Sequence, residues 1–257
     1  MLTRRITAGV LRRVSDLAYR AHGGRSTWRL GVHGTRQLDA LRDLEHRFGL
    51  HVRTVLYVGA NRGQEVDLLC LAFPEAVVHC FEPQSECQDD LRVVAARWPG
   101  RVEVHAVALS DSVGEATLRR PSSHDQAASL LEPGSEMAVQ FPHVNGWAGE
   151  VVRTDTLDRW AAGRTLSDDV LLKMDVQGAE PLVLDGGSET LRRVRLVISE
   201  LAVVPTYDAA PDMHTMFDRL GGLGFRYGGE LEQVRGQDVT VVEFDGAFVR
   251  SQVSGVV

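Results

Sequence analysis

The sequence predicts an α/β domain built on a largely parallel sheet that closes with an antiparallel hairpin. Three observations predict it. Short apolar runs alternate with helix-compatible segments from residue 53 onward, and that rhythm is the mark of a parallel sheet. The first run breaks at glycines directly before a helix-compatible stretch. The last thirty or so residues hold two β-rich runs with only a turn between them.

The elements follow in order. Residues 3–21 and 36–48 carry apolar residues at helical spacing (Ile6, Val10, Val14, Leu17; Leu38, Leu41, Leu44) around a polar connection at Gly23–Thr27. Residues 1–50 are therefore expected to form an N-terminal helical extension, and residues 51–257 the main domain. Strand 1 is expected at 53–58, a helix at 63–73, strand 2 at 76–81 and a helix at 84–97 that ends before Pro99-Gly100. Strand 3 spans 101–107 and leads into Ala108-Leu109. Residues 113–154 break the rhythm: Glu115–Leu118 and Val151–Thr154 read as short strands around a Ser-, Pro-, Gly- and His-rich loop, 121–149. A loop of that length in a compact domain is usually functional or disordered. With Phe141, His143 and Trp147 it suits a lid over a polar ligand. The rhythm then resumes with a helix at Leu157–Ala162, strand 4 at Val170–Met174, a helix at Ala179–Leu184, strand 5 at Arg195–Ser199 and a helix at Met213–Leu220. Glu230–Val234 and Val239–Val249 form the closing hairpin around Gly236-Gln237-Asp238.

Composition narrows the function classes. The chain has 257 residues, 44% hydrophobic and 25% charged, as in an ordinary globular protein. A net charge of −7 argues against a general nucleic-acid binder. The charge is uneven, +6 over residues 1–50 and −13 over the remainder. The basic start reads first as a solvated helix face; contact with a membrane surface or an anionic substrate is the alternative, and the Arg-rich, acid-poor composition also permits a transit peptide. The same segment is a candidate for self-association. Cys70, Cys80 and Cys87 lack metal-ligand spacing and read as thiols in a reducing, cytoplasmic setting. No run approaches the roughly 18 apolar residues of a membrane span.

The chemistry gathers at strand tips. Strand 1 ends in Gly59-Ala60-Asn61-Arg62-Gly63, where glycines let backbone approach a ligand at the carboxyl edge of the sheet. Strand 2 ends in Glu82-Pro83, and an acid there is placed to hold ribose hydroxyls. Together they predict a cofactor that carries an adenosine. Strand 4 ends in Lys173-Met174-Asp175-Val176-Gln177-Gly178-Ala179-Glu180, and strand 5 in Ser199-Glu200. Lys173 is the only lysine among 28 basic residues, which marks a place where the broader Arg fork does not fit. If strands 4 and 5 are neighbours, Asp175 and Glu200 converge beside the cofactor.

The motif Val58-Gly59-Ala60-Asn61-Arg62-Gly63, then Phe81-Glu82-Pro83, Thr156-Leu157-Asp158, and Lys173 to Glu180 with Ser199-Glu200, resembles the FkbM family of S-adenosylmethionine-dependent methyltransferases in content and order, over roughly residues 52–205. The resemblance implies a seven-stranded Rossmann-like class I methyltransferase sheet and S-adenosylmethionine as cofactor. It implies cofactor contacts at Tyr57, Gly59, Asn61, Gly63, Glu82, Pro83, Ala108 and Asp175. It points to O-methylation of a sugar, polysaccharide, glycolipid or polyketide-type natural product; a polar lid and only 6% aromatic residues favour the carbohydrate. Two departures stand out. The family usually has an acid at position 57, where it helps hold the cofactor's amino group, and Glu at position 177. With Tyr57, another carboxylate or backbone carbonyls must take that amino group.

A sugar hydroxyl is a poor nucleophile until its proton leaves, so a base or a metal is expected. Asp175 is the first candidate base or substrate anchor, with Glu200 assisting and Lys173 pairing with either carboxylate. Alternatively Asp175 and Glu200 ligate Mg²⁺. The same three residues also fit a purely structural ion-pair network. His124, His143 and His214 are further candidate bases, Ser129 is a candidate ligand contact or a solvated loop serine, Glu180 a cap, and Asp158 a brace at a helix end. Two other function classes compete. An NAD(P)-dependent oxidoreductase would want a glycine where Asn61 stands, and a short-chain dehydrogenase a tyrosine where Asp169 precedes Lys173. A non-catalytic ligand-binding module would account for Tyr57 and Gln177.

Overall fold

The computed structural model describes residues 31–167, 169–236 and 239–250. The expected helix at 3–21, its connection at Gly23–Thr27 and the tip of the hairpin at 237–238 lie outside the described residues. Helix α1 (Gly31–Phe48) leads into β1 (Thr54–Val58), α2 (Val66–Ala72), β2 (Val77–Phe81), α3 (Gln88–Ala95) and β3 (Val102–His105). After β4 (Ala108–Leu109), β5 (Gly114–Pro121), α4 (Ser135–Gln140) and β6 (Trp147–Asp155) come α5 (Leu157–Ala161), β7 (Val170–Met174), α6 (Glu180–Asp185), β8 (Val194–Ala202), α7 (Met213–Gly222), β9 (Phe225–Arg235) and β10 (Val241–Arg250).

Seven strands form one sheet in the order β3-β2-β1-β7-β8-β10-β9. The first five are parallel; β10 runs antiparallel to both β8 and β9. This is the expected seven-stranded class I sheet with its terminal hairpin. The chain starts at β1, proceeds outward to β3, then returns to β7 on the other side of β1, so the switch point lies between β1 and β7 at their carboxyl ends. Ligands of open α/β sheets bind in that crevice. The central strands β1 and β7 are buried at every position, as apolar runs covered on both faces must be.

Two apolar layers hold the sheet. On one face α1 and α2 pack Leu38, Leu44, Leu69 and Phe73 against Val55, Leu171 and Ile198. Leu44 is fully buried, and cutting it to Ala is expected to cost about 2–5 kcal/mol. On the other face α5, α6 and α7 pack Leu157, Val183 and Leu220 against Leu56, Leu172 and Val197.

The structure departs from the expected boundaries in informative places. The helix expected at 84–97 opens with a 3₁₀ turn at Ser85–Cys87 before α3. The strands expected at Glu115–Leu118 and Val151–Thr154 are longer, and with the unforeseen β4 they form a second, three-stranded sheet in the order β4-β6-β5. The loop between them is ordered by the turn Asp125–Ala127 and by α4. All three cysteines are free and buried.

Candidate active site

The turn after β1 is built by close approach. Gly59 has φ +87°, and a Cβ added there would lie 1.8 Å from the Asp175 carbonyl oxygen. Only glycine lets β1 and β7 come that near at their tips. Asn61 also stands at positive φ (45°), held because its Oδ1 accepts from Arg62 N and from Gln64 Nε2, both at 2.8 Å. Strain of that kind at a non-glycine residue persists only where surroundings over-determine it. Glu82 locks the turn to the tip of β2: its Oε2 accepts from Asn61 N at 2.7 Å and its Oε1 from Gln84 N at 2.8 Å. Burial pushes the Glu82 carboxyl up to about 7, and these N–H donors pull against that rise. Each oxygen keeps a lone pair, enough to accept a ribose hydroxyl.

Around this turn lies a narrow cleft. Tyr57, Gly59, Asn61, Glu82, Pro83, Ala108 and Asp175 all line it. Gly63, expected with them, instead faces Leu91 and Val94 of α3, where a Cβ would come within 2.9 Å of Leu91. Its place is in packing α3 against the turn. Its lining combines apolar side chains (Phe81, Val107, Leu109) with polar ones (Gln84, Glu65, Asp175), the mixture an adenosine with a charged tail requires. The buried Oε1 of Gln84 has no protein partner and offers a free acceptor.

Lys173 turns out to pair elsewhere than expected. Its Nζ lies 3.3 Å from Glu65 and 3.5 Å from Asp245, not on Asp175 or Glu200, and sits 5.5 Å from the Tyr57 ring centroid. Lys173 is 2% exposed. Burial disfavours its charge, but Asp245 and Glu65 outweigh that and hold its pKa well above the ordinary lysine range.

Asp175 and Glu200 do converge, through a third residue. Gln177 Nε2 donates to Asp175 Oδ1 at 3.1 Å and to Glu200 Oε2 at 2.7 Å. Gln177 stands at φ +56° and is pinned by Ser129 Oγ, which donates to its carbonyl at 2.8 Å, and by Tyr207 Oη, 3.3 Å from its Oε1. Ser129 is thus a buried brace that also lines the first cleft, not a solvated loop serine. Glu180 accepts from Val176 N at 3.0 Å and closes the same turn, while burial lifts its carboxyl to about 7. Burial raises the Asp175 pKa, and Lys173 opposes the rise. Glu200 is raised well above the carboxylate range by burial, then by Glu243 and Asp175. The donor set between Asp175 and Glu200 does not fit a cation, because the Gln177 amide already occupies the point where the two carboxylates meet.

A second, wider cleft also reaches Asp175. Asp175, Glu65 and Gln126 line both clefts. The segment 121–149 walls the second one with His124, Gln140, Phe141 and His143; Trp147 instead packs edge-on against Tyr207. His214 lies exposed on α7, away from both clefts. Asp158 accepts from Thr190 N at 2.7 Å and Glu189 N at 3.0 Å, bracing the turn before β8. Sequence reasoning missed Glu65, Gln126, Glu243 and Asp245. Glu65 carried a signal, an acid two residues past Gly63; Glu243 and Asp245 carried another, two acids at period two on an apolar strand.

Comparison with known proteins agrees with this architecture. Residues 58–227 match the family model described as the methyltransferase FkbM domain. The chain is similar to the 2-O-methyltransferase NoeI of Sinorhizobium fredii, 28% identical over 178 residues, which is 65% of this chain and 70% of that protein. Among solved structures it resembles magnesium protoporphyrin IX methyltransferase from Synechocystis with bound S-adenosylmethionine (TM-score 0.45, 13% identity, 85% of this chain and 80% of that one). It also resembles a Burkholderia thailandensis N1-methyltransferase of 1,6-didemethyltoxoflavin (TM-score 0.44, 14% identity, 96% and 90%).

Proposed function

The chain belongs to the FkbM methyltransferase domain family and is an S-adenosylmethionine-dependent O-methyltransferase, and from that premise we propose that its acceptor is a hydroxyl of a carbohydrate. One observation carries the reading: Asp175, with Glu65 and Gln126, lines both the narrow cleft at the β1 turn and a wide polar cleft lined by carboxylates, amides and imidazoles. Such a lining accepts hydroxyls and disfavours an anionic acceptor, and its few aromatics do not form a clamp for a flat ring. The 2-O-methyltransferase likeness supports a hydroxyl as the acceptor.

The bound cofactor supplies an electrophilic methyl group on a sulfonium sulfur. The protein's own task is to hold the acceptor oxygen in line, exclude water and manage one proton. In this reading Glu82 takes the ribose hydroxyls. Glu65, beside Tyr57 and held by Lys173, takes the cofactor's amino group in place of an acid at position 57. Asp175 accepts the proton of the acceptor hydroxyl as its oxygen attacks, and the proton leaves through the wide cleft. Glu200, kept protonated by burial and its acidic neighbours, anchors a neighbouring hydroxyl. Lys173 is a positioning residue whose charge favours the ionised form of Asp175. Segment 121–149 acts as the lid. The proposed proton transfer needs no Mg²⁺ at Asp175 and Glu200, so added Mg²⁺ is expected to leave turnover unchanged.

The test is transfer of a labelled methyl group to a panel of glycans, glycolipids and polyketide-type aglycones. Label in the carbohydrate, released as a methyl ether on hydrolysis, is expected. Label confined to aglycones overturns the carbohydrate reading, and cofactor binding without transfer to any hydroxyl points to the non-catalytic module.

A further inference from the structure

Away from both clefts, strands β2 and β3 carry a polar cluster that the methyl-transfer reading does not use. The two strands are parallel, with His79 opposite Glu103 and Phe81 opposite His105. Alternation puts these four side chains on one face of the sheet. His79 Nδ1 lies 3.3 Å from Glu103 Oε2 and 3.4 Å from His105 Nε2, and the last two atoms are 3.9 Å apart. Zinc–nitrogen and zinc–oxygen bonds of about 2.0–2.1 Å in a tetrahedron separate the donors by about 3.3–3.4 Å. Two of the three spacings meet that value, and the third needs a small movement of Glu103, which is half exposed.

We propose that His79, Glu103 and His105 form a tetrahedral site for a divalent transition metal, Zn²⁺ first, with the fourth position left to water. The imidazoles are already oriented for it. His105 stacks on Phe81 with centroids 4.9 Å apart, and the Trp160 ring stands edge-on to His79 at 4.9 Å and to His105 at 5.4 Å. Fixed rings lose little entropy when a metal binds. A neutral imidazole has one unprotonated ring nitrogen, so tautomers with the lone pairs of His79 Nδ1 and His105 Nε2 turned to the shared point can take the ion. Without a cation a ring N–H points between these acceptors, and a bound ion would take its place. The Arg164 guanidinium, held over Trp160, opposes a cation, and the Glu103 carboxylate offsets it. Imidazole and carboxylate donors at this spacing select a borderline metal over Mg²⁺ or Ca²⁺, which want more oxygens.

The site would be structural. Among the described residues β3 is the edge of the sheet and pairs only with β2, so a metal across the pair fastens that edge. It would also stiffen Phe81, which lines the narrow cleft at the β1 turn. Metal analysis of the tag-free full-length chain, stripped with EDTA and reloaded with Zn²⁺, tests the idea independently of methyl transfer. One Zn²⁺ per chain is expected, with a melting temperature several degrees above the stripped protein. Co²⁺ in its place is expected to give the intense visible absorption of a tetrahedral ion. His105→Ala should abolish loading, and Glu103→Ala, at a half-exposed position that does not endanger the fold, should weaken it at least about tenfold. No stoichiometric Zn²⁺ in the wild type, or equal loading in both variants, overturns the site.

Discussion

The carboxyl tips of β2 and β7 each present a carboxylate to the same cleft, Glu82 buried and Asp175 half-buried, and the two are held in opposite ways. Glu82 is fixed by backbone: two N–H groups from its own strand end and the neighbouring turn position its oxygens. Asp175 is fixed by side chains, through an amide that also grips Glu200, in surroundings crowded by Glu65, Glu243 and Asp245. A backbone-held acid is a binding device whose geometry hardly changes with its charge. Burial raises both carboxyls, but Asp175 is held by a side chain that can shift as its charge changes, which suits a group that takes up a proton.

The largest effect expected from this contrast is at Asp175. Asp175→Asn should lower turnover by about 10²–10⁴-fold while cofactor affinity, measured by calorimetry, stays within a few-fold. Equal losses in both would erase the distinction between the two tips. Glu82→Gln should do the reverse, weakening binding of S-adenosylhomocysteine by about 10–100-fold, since a hydrogen bond to a charged acceptor is worth about 1.5–3 kcal/mol. Because burial puts the Glu82 pKa at about 7, wild-type cofactor affinity is also expected to fall as pH drops from 8 to 6.

A smaller effect sharpens the reading of Glu65. Glu65→Gln should weaken S-adenosylhomocysteine roughly tenfold, the worth of one charge-assisted contact, but leave 5′-methylthioadenosine, which lacks the amino-acid tail, unchanged. If both ligands weaken together, Glu65 supports the cleft rather than the amino group. The smallest effect concerns stability. Burial and then Asp175 push the Glu243 carboxyl up to about 7. Between the ordinary glutamate range and that value the folded chain binds more protons than the unfolded chain. Stability from this group is therefore present at low pH, falls as pH rises through the window and levels off above it. Glu243→Gln should stabilise the protein by on the order of 1 kcal/mol at pH 8 and by almost nothing at pH 5, seen as a melting-temperature difference that closes on acidification.

The same contrast explains what was legible in the sequence. The β2 tip was readable because its parts are local: glycines, an apolar run and an acid in fixed order. β7 was placed residue for residue at Val170–Met174, and the closing hairpin was recognised, because buried strands read as apolar runs. The convergence of Asp175 and Glu200 followed from strand adjacency alone. Gln177 as the bridge did not, since the left-handed turn that aims it depends on Ser129 and Tyr207 from distant segments. The partners of Lys173 were misplaced for a similar reason: Glu65 sits on the turn after β1 and Asp245 on β10, and no local pattern joins them. Gly63 carried a motif position but faces a helix, so the motif alone overstated its contact with a ligand.

A crystal structure with S-adenosylhomocysteine measures the central claim most directly. The adenosine should lie against Phe81 with its ribose on Glu82 and its amino group on Glu65, and the sulfur should face the Asp175 carboxylate across the junction of the two clefts. A homocysteine tail directed away from that junction, or an Asp175 carboxylate shielded from the sulfur by the chain, would contradict it.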